Sequence, residues 1–260
     1  MDRHPAERPA PRRQWPILAR LARYRQLMIK AMVDNVRASH CLLCGGRCLD
    51  RCLCPACLND LPWLDDSCRR CALPLPEHEE TPVNTRCCGE CQRDPPPWQA
   101  AAVFRYEFPV DALIAAFKYQ GRLTLADALG ELLAARLPPD WQDSLVVPVP
   151  VHTQRLRERG YNQAALLARD VATRQHMRYQ PDSLQRRRVT AMQKTLSPAQ
   201  REANLADAFS WQGPPLQGCN VLVIDDVLTT GATLSALARV LTEAGAGEVR
   251  ALVVARTLPP

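Results

Sequence analysis

Long apolar runs are missing from this chain of 260 residues. None reaches the roughly 20 consecutive apolar residues that a bilayer-spanning helix needs, so the sequence offers no transmembrane segment. The Arg- and Pro-rich start is followed by no apolar core of the secretory-signal type, and the expected location is the cytosol. Lysine is scarce as well: Lys30, Lys118 and Lys194 are the only three, and arginine supplies nearly all the positive charge. Arginine forks suit phosphate, although an Ala-, Arg- and Pro-rich composition can by itself reflect genomic base usage. The formal net charge of +6 counts cysteines as neutral. Eight thiolates on two Zn²⁺ would bring it to about +2. A basic balance of that size does not by itself argue for nucleic acid.

What is present is a core and many thiols. Hydrophobic residues make up 47% of the chain, enough for a packed interior. The chain carries twelve cysteines, and in a cytosolic protein these argue for metal rather than disulfides.

Composition divides the chain into three parts: an extension over residues 1–40, a cysteine-rich region over 41–92, and an α/β part over 99–260. Residues 1–14 are poor in apolar side chains and rich in proline, the signature of disorder. Over residues 15–37, Trp15, Leu18, Leu21, Met28, Met32 and Val36 recur at helical spacing with Arg20, Arg23, Arg25 and Lys30 between them. That pattern fits a basic amphipathic helix for an acidic surface, or a peripheral helix packed on its own protein, which is the favoured reading. The run "RDPPPW" reads as a stiff linker. Beyond it, "AAVFRYEF", "SLVVPVPV", "CNVLVIDD" and "VRALVVAR" read as strands. "VDALIAAFKY", "LADALGELLAARL", "NQAALLARDVATRQ" and "GATLSALARVLTEAG" read as helices. Apolar strands alternating with amphipathic helices predict a parallel sheet covered on both faces. The polar stretch 186–205 reads as a long loop of the kind that often serves function.

Four Cys-x-x-Cys units occur in order: Cys41/Cys44, Cys54/Cys57, Cys68/Cys71 and Cys88/Cys91. A two-residue gap lets two sulfurs face one ion, and two such knuckles complete a tetrahedral four-thiolate site. The simplest pairing is two successive ribbons, one ion each. An interleaved pairing is the alternative the spacing leaves open, and redox or iron–sulfur roles are further alternatives. Cys48, Cys52 and Cys87 are left over, Cys87 being an alternative to Cys88, and Cys219 reads as a small core residue. The zinc is expected to be structural.

The stretch "VLVIDDVLTTGAT" poses a chemical problem, because a buried strand that ends on Asp225 and Asp226 is costly unless both carboxylates find partners. Ligands of α/β proteins bind at the carboxyl ends of strands. The turn Thr229, Thr230, Gly231, Ala232, Thr233 opens a helix, and free amides with three hydroxyls make a phosphate cradle. An acid pair a few residues from a phosphate cradle suits a sugar phosphate, with the carboxylates on ribose hydroxyls and the amides on the 5′-phosphate. In "PVPVHTQRLRERGYNQ", Arg155, Arg157 and Arg159 crowd a turn after a strand, where they can clamp pyrophosphate. Gln193, Lys194, Arg201 and Asn204 lie on the segment 190–209, which can close over a ligand. Trp63, Trp98 and Trp141 can stack on bases or simply pack.

The Asp-Asp-turn resembles the signature of type I phosphoribosyltransferases. That resemblance implies 5-phosphoribosyl-1-pyrophosphate (PRPP) as ligand, usually with Mg²⁺, held through Asp225, Asp226 and residues 229–233. Purine-salvage members carry an acid where this chain has Thr229, which argues against salvage of hypoxanthine or guanine. More broadly, "CLLCGG", "CALPL", "RDPPPW", "FKYQGR", "PVPVH…RLRERGYNQ", "VIDDVLTTGATL" and "ARTL" resemble the ComF family of competence proteins, including its GntX-like members. Membership implies a zinc-binding N-terminal region fused to a phosphoribosyltransferase-like domain, a part in natural transformation, and action on single-stranded DNA. The segment before Cys41 lies outside that pattern. Three functions are expected to compete: pentosyl transfer from PRPP, single-stranded-DNA binding with a relic or sensory site, and regulation through another competence protein docked on the zinc region. No residue in the sequence identifies an acceptor or a nucleophile.

Overall fold

A computed structural model describes residues 38–49, 52–76, 86–187 and 208–258. The expected helix at 15–37 and the residues Gln193, Lys194, Arg201 and Asn204 lie outside these described residues.

The first strands, β1 (Ala38–His40) and β2 (Arg47–Leu49), form an antiparallel hairpin around the first cysteine knuckle. Two one-turn helices follow, α1 (Pro55–Asn59) and α2 (Gly89–Arg93), each beginning beside a cysteine knuckle. Then come β3 (Gln99–Arg105), α3 (Val110–Tyr119), α4 (Thr124–Ala135) and β4 (Leu145–Pro148). The chain continues through α5 (Thr153–Arg159), α6 (Gln163–Arg174), β5 (Leu184–Arg186), β6 (Phe209–Trp211), β7 (Val221–Leu228), α7 (Ala232–Glu243) and β8 (Val249–Arg256).

β3, β8, β7 and β4 pair in that order, all parallel, and give the expected sheet. Every residue of β8, in the middle, is buried. Alternate side chains face opposite ways along a strand. On one face Val146, Leu222, Ile224, Leu252 and Val254 meet the apolar stripes of α3, α4 and α6, among them Phe117, Leu129, Leu133 and Leu167. On the other, Val147, Val223, Ala251 and Val253 meet Leu234, Leu237 and Leu241 of α7. Each fully buried aliphatic side chain contributes about 1.5–3 kcal/mol. The close approach of α4 to α6 depends on Gly130, where an added Cβ would lie 2.2 Å from an Asp170 carboxylate oxygen.

The cysteine-rich segment is joined to this sheet. Leu64 N donates to Val103 O (2.9 Å) and Arg105 N to Pro62 O (2.9 Å), so residues 62–64 cover the outer edge of β3. That satisfies backbone groups an edge strand would otherwise expose. The first cysteine set packs into the core of one face and the second set into the core of the other. Among the described residues no helix is long and apolar enough to cross a membrane.

Two features differ from expectation. Residues 153–159, expected as a turn, form α5, capped at its start by His152, whose Nδ1 accepts from Gln154 N (3.1 Å). Strand β7 does not end on its acids but runs two residues further, held to β8 as far as Leu228 opposite Arg256. On its other side the ladder to β4 stops at Pro148 opposite Ile224. Asp225 and Asp226 therefore lie just past the end of β4, on a strand with β8 beside it on one flank only.

Candidate functional site

The sulfurs of Cys41, Cys44, Cys54 and Cys57 gather in one group and those of Cys68, Cys71, Cys88 and Cys91 in a second, all within 4.8 Å of one another in each. The pairing is successive, not interleaved, and Cys88 rather than Cys87 belongs to the second group. The fit to zinc can be tested on distance. A Zn–S bond of about 2.3 Å in a tetrahedron puts sulfurs roughly 3.8 Å apart. Cys44 and Cys54 Sγ are 3.7 Å apart, and Cys71 and Cys88 Sγ 3.6 Å. Main-chain amides turn towards sulfur as an anionic ligand requires: Cys54 N points at Cys41 Sγ (3.4 Å) and Cys88 N at Cys68 Sγ (3.3 Å). Burial opposes ionisation of Cys41, but the amides of Cys44, Cys54 and Leu43 outweigh it and bring the thiol down to about 6. Hydrogen bonding from the Cys71 thiol, against burial and with the amides of Cys71, Cys88 and Arg70, takes Cys68 down to about 4. Both clusters can hold zinc. The leftover Cys48, Cys52 and Cys87 are held above the usual thiol range, in each case first by burial. Cys219, expected in the core, is only half-buried, with Arg178 Nη2 3.0 Å from its sulfur.

The two acids point to opposite sides of β7. Asp225 lines a small cavity of about 50 Å³ together with Val149, Thr229, Gly231 and Thr233, so it shares space with the hydroxyl-rich turn. Burial, then the charge of Asp226, raises Asp225 to about 7. Asp226 is buried on the other side, where Lys118 Nζ lies 2.6 Å from Oδ1 and Gln163 Nε2 donates to Oδ2 at 2.9 Å. The structure therefore joins Asp225 to residues 229–233 and leaves Asp226 with a different set of partners.

The turn itself is held from two directions. Gly231 has φ of +81°, and a Cβ there would meet Trp98 Cζ2 at 2.7 Å. Only glycine suits both constraints. Trp98 is fixed in turn by its Nε1, which donates to Ser235 Oγ (3.0 Å) in α7. Arg256, buried at the end of β8, donates to the carbonyls of Leu228 (3.1 Å), Thr229 and Thr257 (2.9 Å), and through Nε to that of Cys71 (2.8 Å). One guanidinium thus ties the root of the turn to the second cysteine cluster.

On the Asp226 side an open cleft of about 370 Å³ is lined by Lys118, Tyr119, Gly121, Arg155, Glu158, Arg159 and Tyr161. Arg155 and Arg159, one helical turn apart on α5, face it; Arg157 is not among its lining residues. Arg159 Nη1 donates to Gln163 Oε1 (2.5 Å), and its guanidinium stacks 5.2 Å from the Tyr119 ring. Charge therefore runs from the cleft to Asp226 by two routes, Lys118 directly and Arg159 through Gln163. Sequence reasoning passed over Lys118, Gln163 and Arg186. The available signal for Lys118 was its rarity, a lysine in a chain that otherwise uses arginine.

Arg186 stands at the base of the segment expected to close over ligand. β5 and β6 pair with Arg186 opposite Phe209, and Arg187 N donates to Ala208 O (2.8 Å), so Arg187 and Ala208 lie side by side in one place. That place is near the acids, since Arg186 and Asp225 act electrostatically on each other. Burial, then the like charge of Arg155, holds the Arg186 pKa below its usual value. Of the three tryptophans considered for base stacking, Trp98 and Trp141 are buried, and Trp63 packs on Phe104 with ring centroids 4.7 Å apart; packing is their role.

A phosphoribosyl transferase domain matches residues 168–258, which include β7, the turn and β8. The chain is 35% identical over 198 residues to the DNA utilization protein YhgH of Escherichia coli K12, covering 74% of this chain and 84% of that one. It is 30% identical over 178 residues to Competence protein F of Haemophilus influenzae, covering 65% of this chain and 78% of that one. To Competence protein ComFC of Bacillus subtilis it is 29% identical over 150 residues, covering 56% of this chain and 59% of that one.

Proposed function

Because the chain belongs to the ComF family, a phosphoribosyltransferase-like family of competence and DNA-utilization proteins, we propose that it binds PRPP with Mg²⁺ at the carboxyl edge of its sheet and serves the use of incoming DNA in the cytoplasm. The observation that carries this reading is the cavity shared by Asp225, Thr229, Gly231 and Thr233. It brings a carboxylate and a hydroxyl-rich helix entry to one space, as a pentose 5-phosphate requires.

In this reading residues 229–233 take the 5′-phosphate, and Asp225 takes a ribose hydroxyl. Asp226 takes the second hydroxyl from the far side of the strand. Arg155 and Arg159 take the pyrophosphate as charge-assisted, bidentate donors, with Arg157 at the rim. Gln193, Lys194, Arg201 and Asn204, outside the described residues, would add polar contacts to the ligand. Mg²⁺, when bound with PRPP, would neutralise charge on the pyrophosphate. The first extension, the two-zinc region and the phosphoribosyltransferase-like part divide at residues 1–40, 41–92 and 99–260. The zinc ions hold the region that covers the edge of β3.

Calorimetric titration of PRPP with Mg²⁺ tests the site. Saturable binding is expected, weakened at least about tenfold in Asp225→Asn/Asp226→Asn, the loss of roughly one charged hydrogen bond. Equal binding by the variant would end the reading. DNA contact has its own supporting observation. Phe108 (78% exposed) lies three positions from the exposed Arg105 in the chain, and Tyr119 (74% exposed) three positions from the exposed Arg122. Aromatic faces with arginines suit single strands, and affinity for an oligonucleotide should fall steeply with salt as counterions are released. A flat salt response would remove that contact.

A further inference from the structure

We propose that Lys118 is an exchangeable counter-ion, holding Asp226 while the cleft is empty and passing to a diphosphate that enters it, so that Asp226 is released to take the pentose. The inference rests on the reading above and adds a positioning residue and an order of events to it.

Lys118 belongs to two environments at once. Its ammonium lies 2.6 Å from Asp226 Oδ1, yet the side chain is 21% exposed and lines the cleft with Arg155 and Arg159, whereas Asp226 is only 4% exposed. Lysine suits an exchange of partner, because it is a point charge on a flexible four-carbon stem, unlike the rigid fork of arginine. A diphosphate carries more negative charge than one carboxylate, and the cleft's two arginines draw it to within reach of the same ammonium. Once Lys118 turns outward, Asp226 keeps the Gln163 amide at 2.9 Å. A buried carboxylate left with a single neutral donor is costly. It gains most from a new partner, and a ribose hydroxyl or a divalent cation supplies one. Occupation of the cleft therefore favours occupation of the sugar position. The two bindings must help each other equally, because coupling is reciprocal. Were Lys118 only a structural clamp, any coupling between the ligands would survive its replacement.

The test uses the full chain, inorganic pyrophosphate and ribose 5-phosphate at fixed free Mg²⁺, followed by calorimetry. In the wild type, saturating pyrophosphate should lower the Kd for ribose 5-phosphate at least about fivefold, the lower end of common coupling. In Lys118→Gln, Asp226 lacks its counter-ion from the start. Pyrophosphate should then lower the Kd for ribose 5-phosphate clearly less than in the wild type. Should that variant fold poorly, Lys118→Arg keeps the charge on a rigid fork that exchanges partners less readily, and coupling should shrink there too. Coupling of undiminished size in either variant would overturn the proposal. So would independent or antagonistic binding in the wild type. If neither ligand binds the wild type, the reading of the preceding subsection fails and takes this inference with it.

Discussion

Replacing Arg256 by Met should loosen two places that lie far apart in the sequence. The guanidinium is buried (8% exposed) and donates to four carbonyls, those of Cys71, Leu228, Thr229 and Thr257. Methionine fills much of the volume but donates nothing. Leu228 O keeps a second donor, Thr257 N at 3.0 Å, so the carbonyls of Cys71, Thr229 and Thr257 bear the loss. A hydrogen bond from a charged donor contributes about 1.5–3 kcal/mol. Removing the arginine also recovers the cost of burying its charge. The net destabilisation should be about 3–5 kcal/mol, a fall in Tm of roughly 6–15 °C for a chain of this size. The distribution of the effect is more informative than its size. Zinc in the Cys68–Cys71–Cys88–Cys91 site should pass to a chelator faster than in the wild type, while zinc in the first site keeps its rate. Affinity for ribose 5-phosphate should fall with it, because the root of the turn is no longer fixed. Arg256→Lys keeps the charge but loses the fork, and should lie between. A change under about 1 kcal/mol, or equal loosening of both zinc sites, would refute the reasoning.

Three other outcomes follow from the same geometry. Gly231→Ala forces a side chain into a left-handed backbone and against Trp98, which should cost about 1–3 kcal/mol and abolish ribose 5-phosphate binding by calorimetry; unchanged binding would show the turn to be uninvolved. Zinc content by mass spectrometry should be unchanged in Cys87→Ser and lower by one ion in Cys88→Ser, and the reverse order would reassign the ligands. Asp225, raised to about 7 by burial and by Asp226, is harder to ionise folded than unfolded, so it costs stability as pH climbs from about 4 through 7. Asp225→Asn should therefore leave Tm nearly unchanged near pH 4 and raise it at pH 8 by an amount worth about 1–3 kcal/mol, while wild-type affinity for ribose 5-phosphate rises between pH 6 and 8; a Tm difference that ignores pH would refute the shift.

The elements legible in the sequence are those whose stability is local. Val110, Leu113, Ile114 and Phe117 repeat at helical spacing, and all four are buried in α3. β7 and β8 are apolar because both their faces are covered. What escaped is made by distant partners. "TQRLRER" has no apolar stripe, and α5 buries none of its residues. β5 and β6 are three residues each and pair across a long excursion. The last two residues of β7 stay extended because β8 pairs with them as far as Leu228, and Arg256 collects the carbonyls of Leu228 and Thr229 at that end, contacts no window of sequence contains.

The acid pair shows most clearly why residue types were legible and their grouping was not. Two adjacent aspartates suggest a single binding surface. In an extended strand, however, neighbours face apart, so Asp225 joins the turn while Asp226 joins Lys118 and Gln163. A ligand that engages both acids must lie across the flank of β7 just past the point where β4 stops at Pro148. The cysteine sets take opposite faces of the same sheet, and only the second is tied, through Arg256, to the turn. The proposed ligand would then bridge two half-sites that the fold keeps on separate sides. Lys118 on one side and Arg256 on the other decide how readily each half is available.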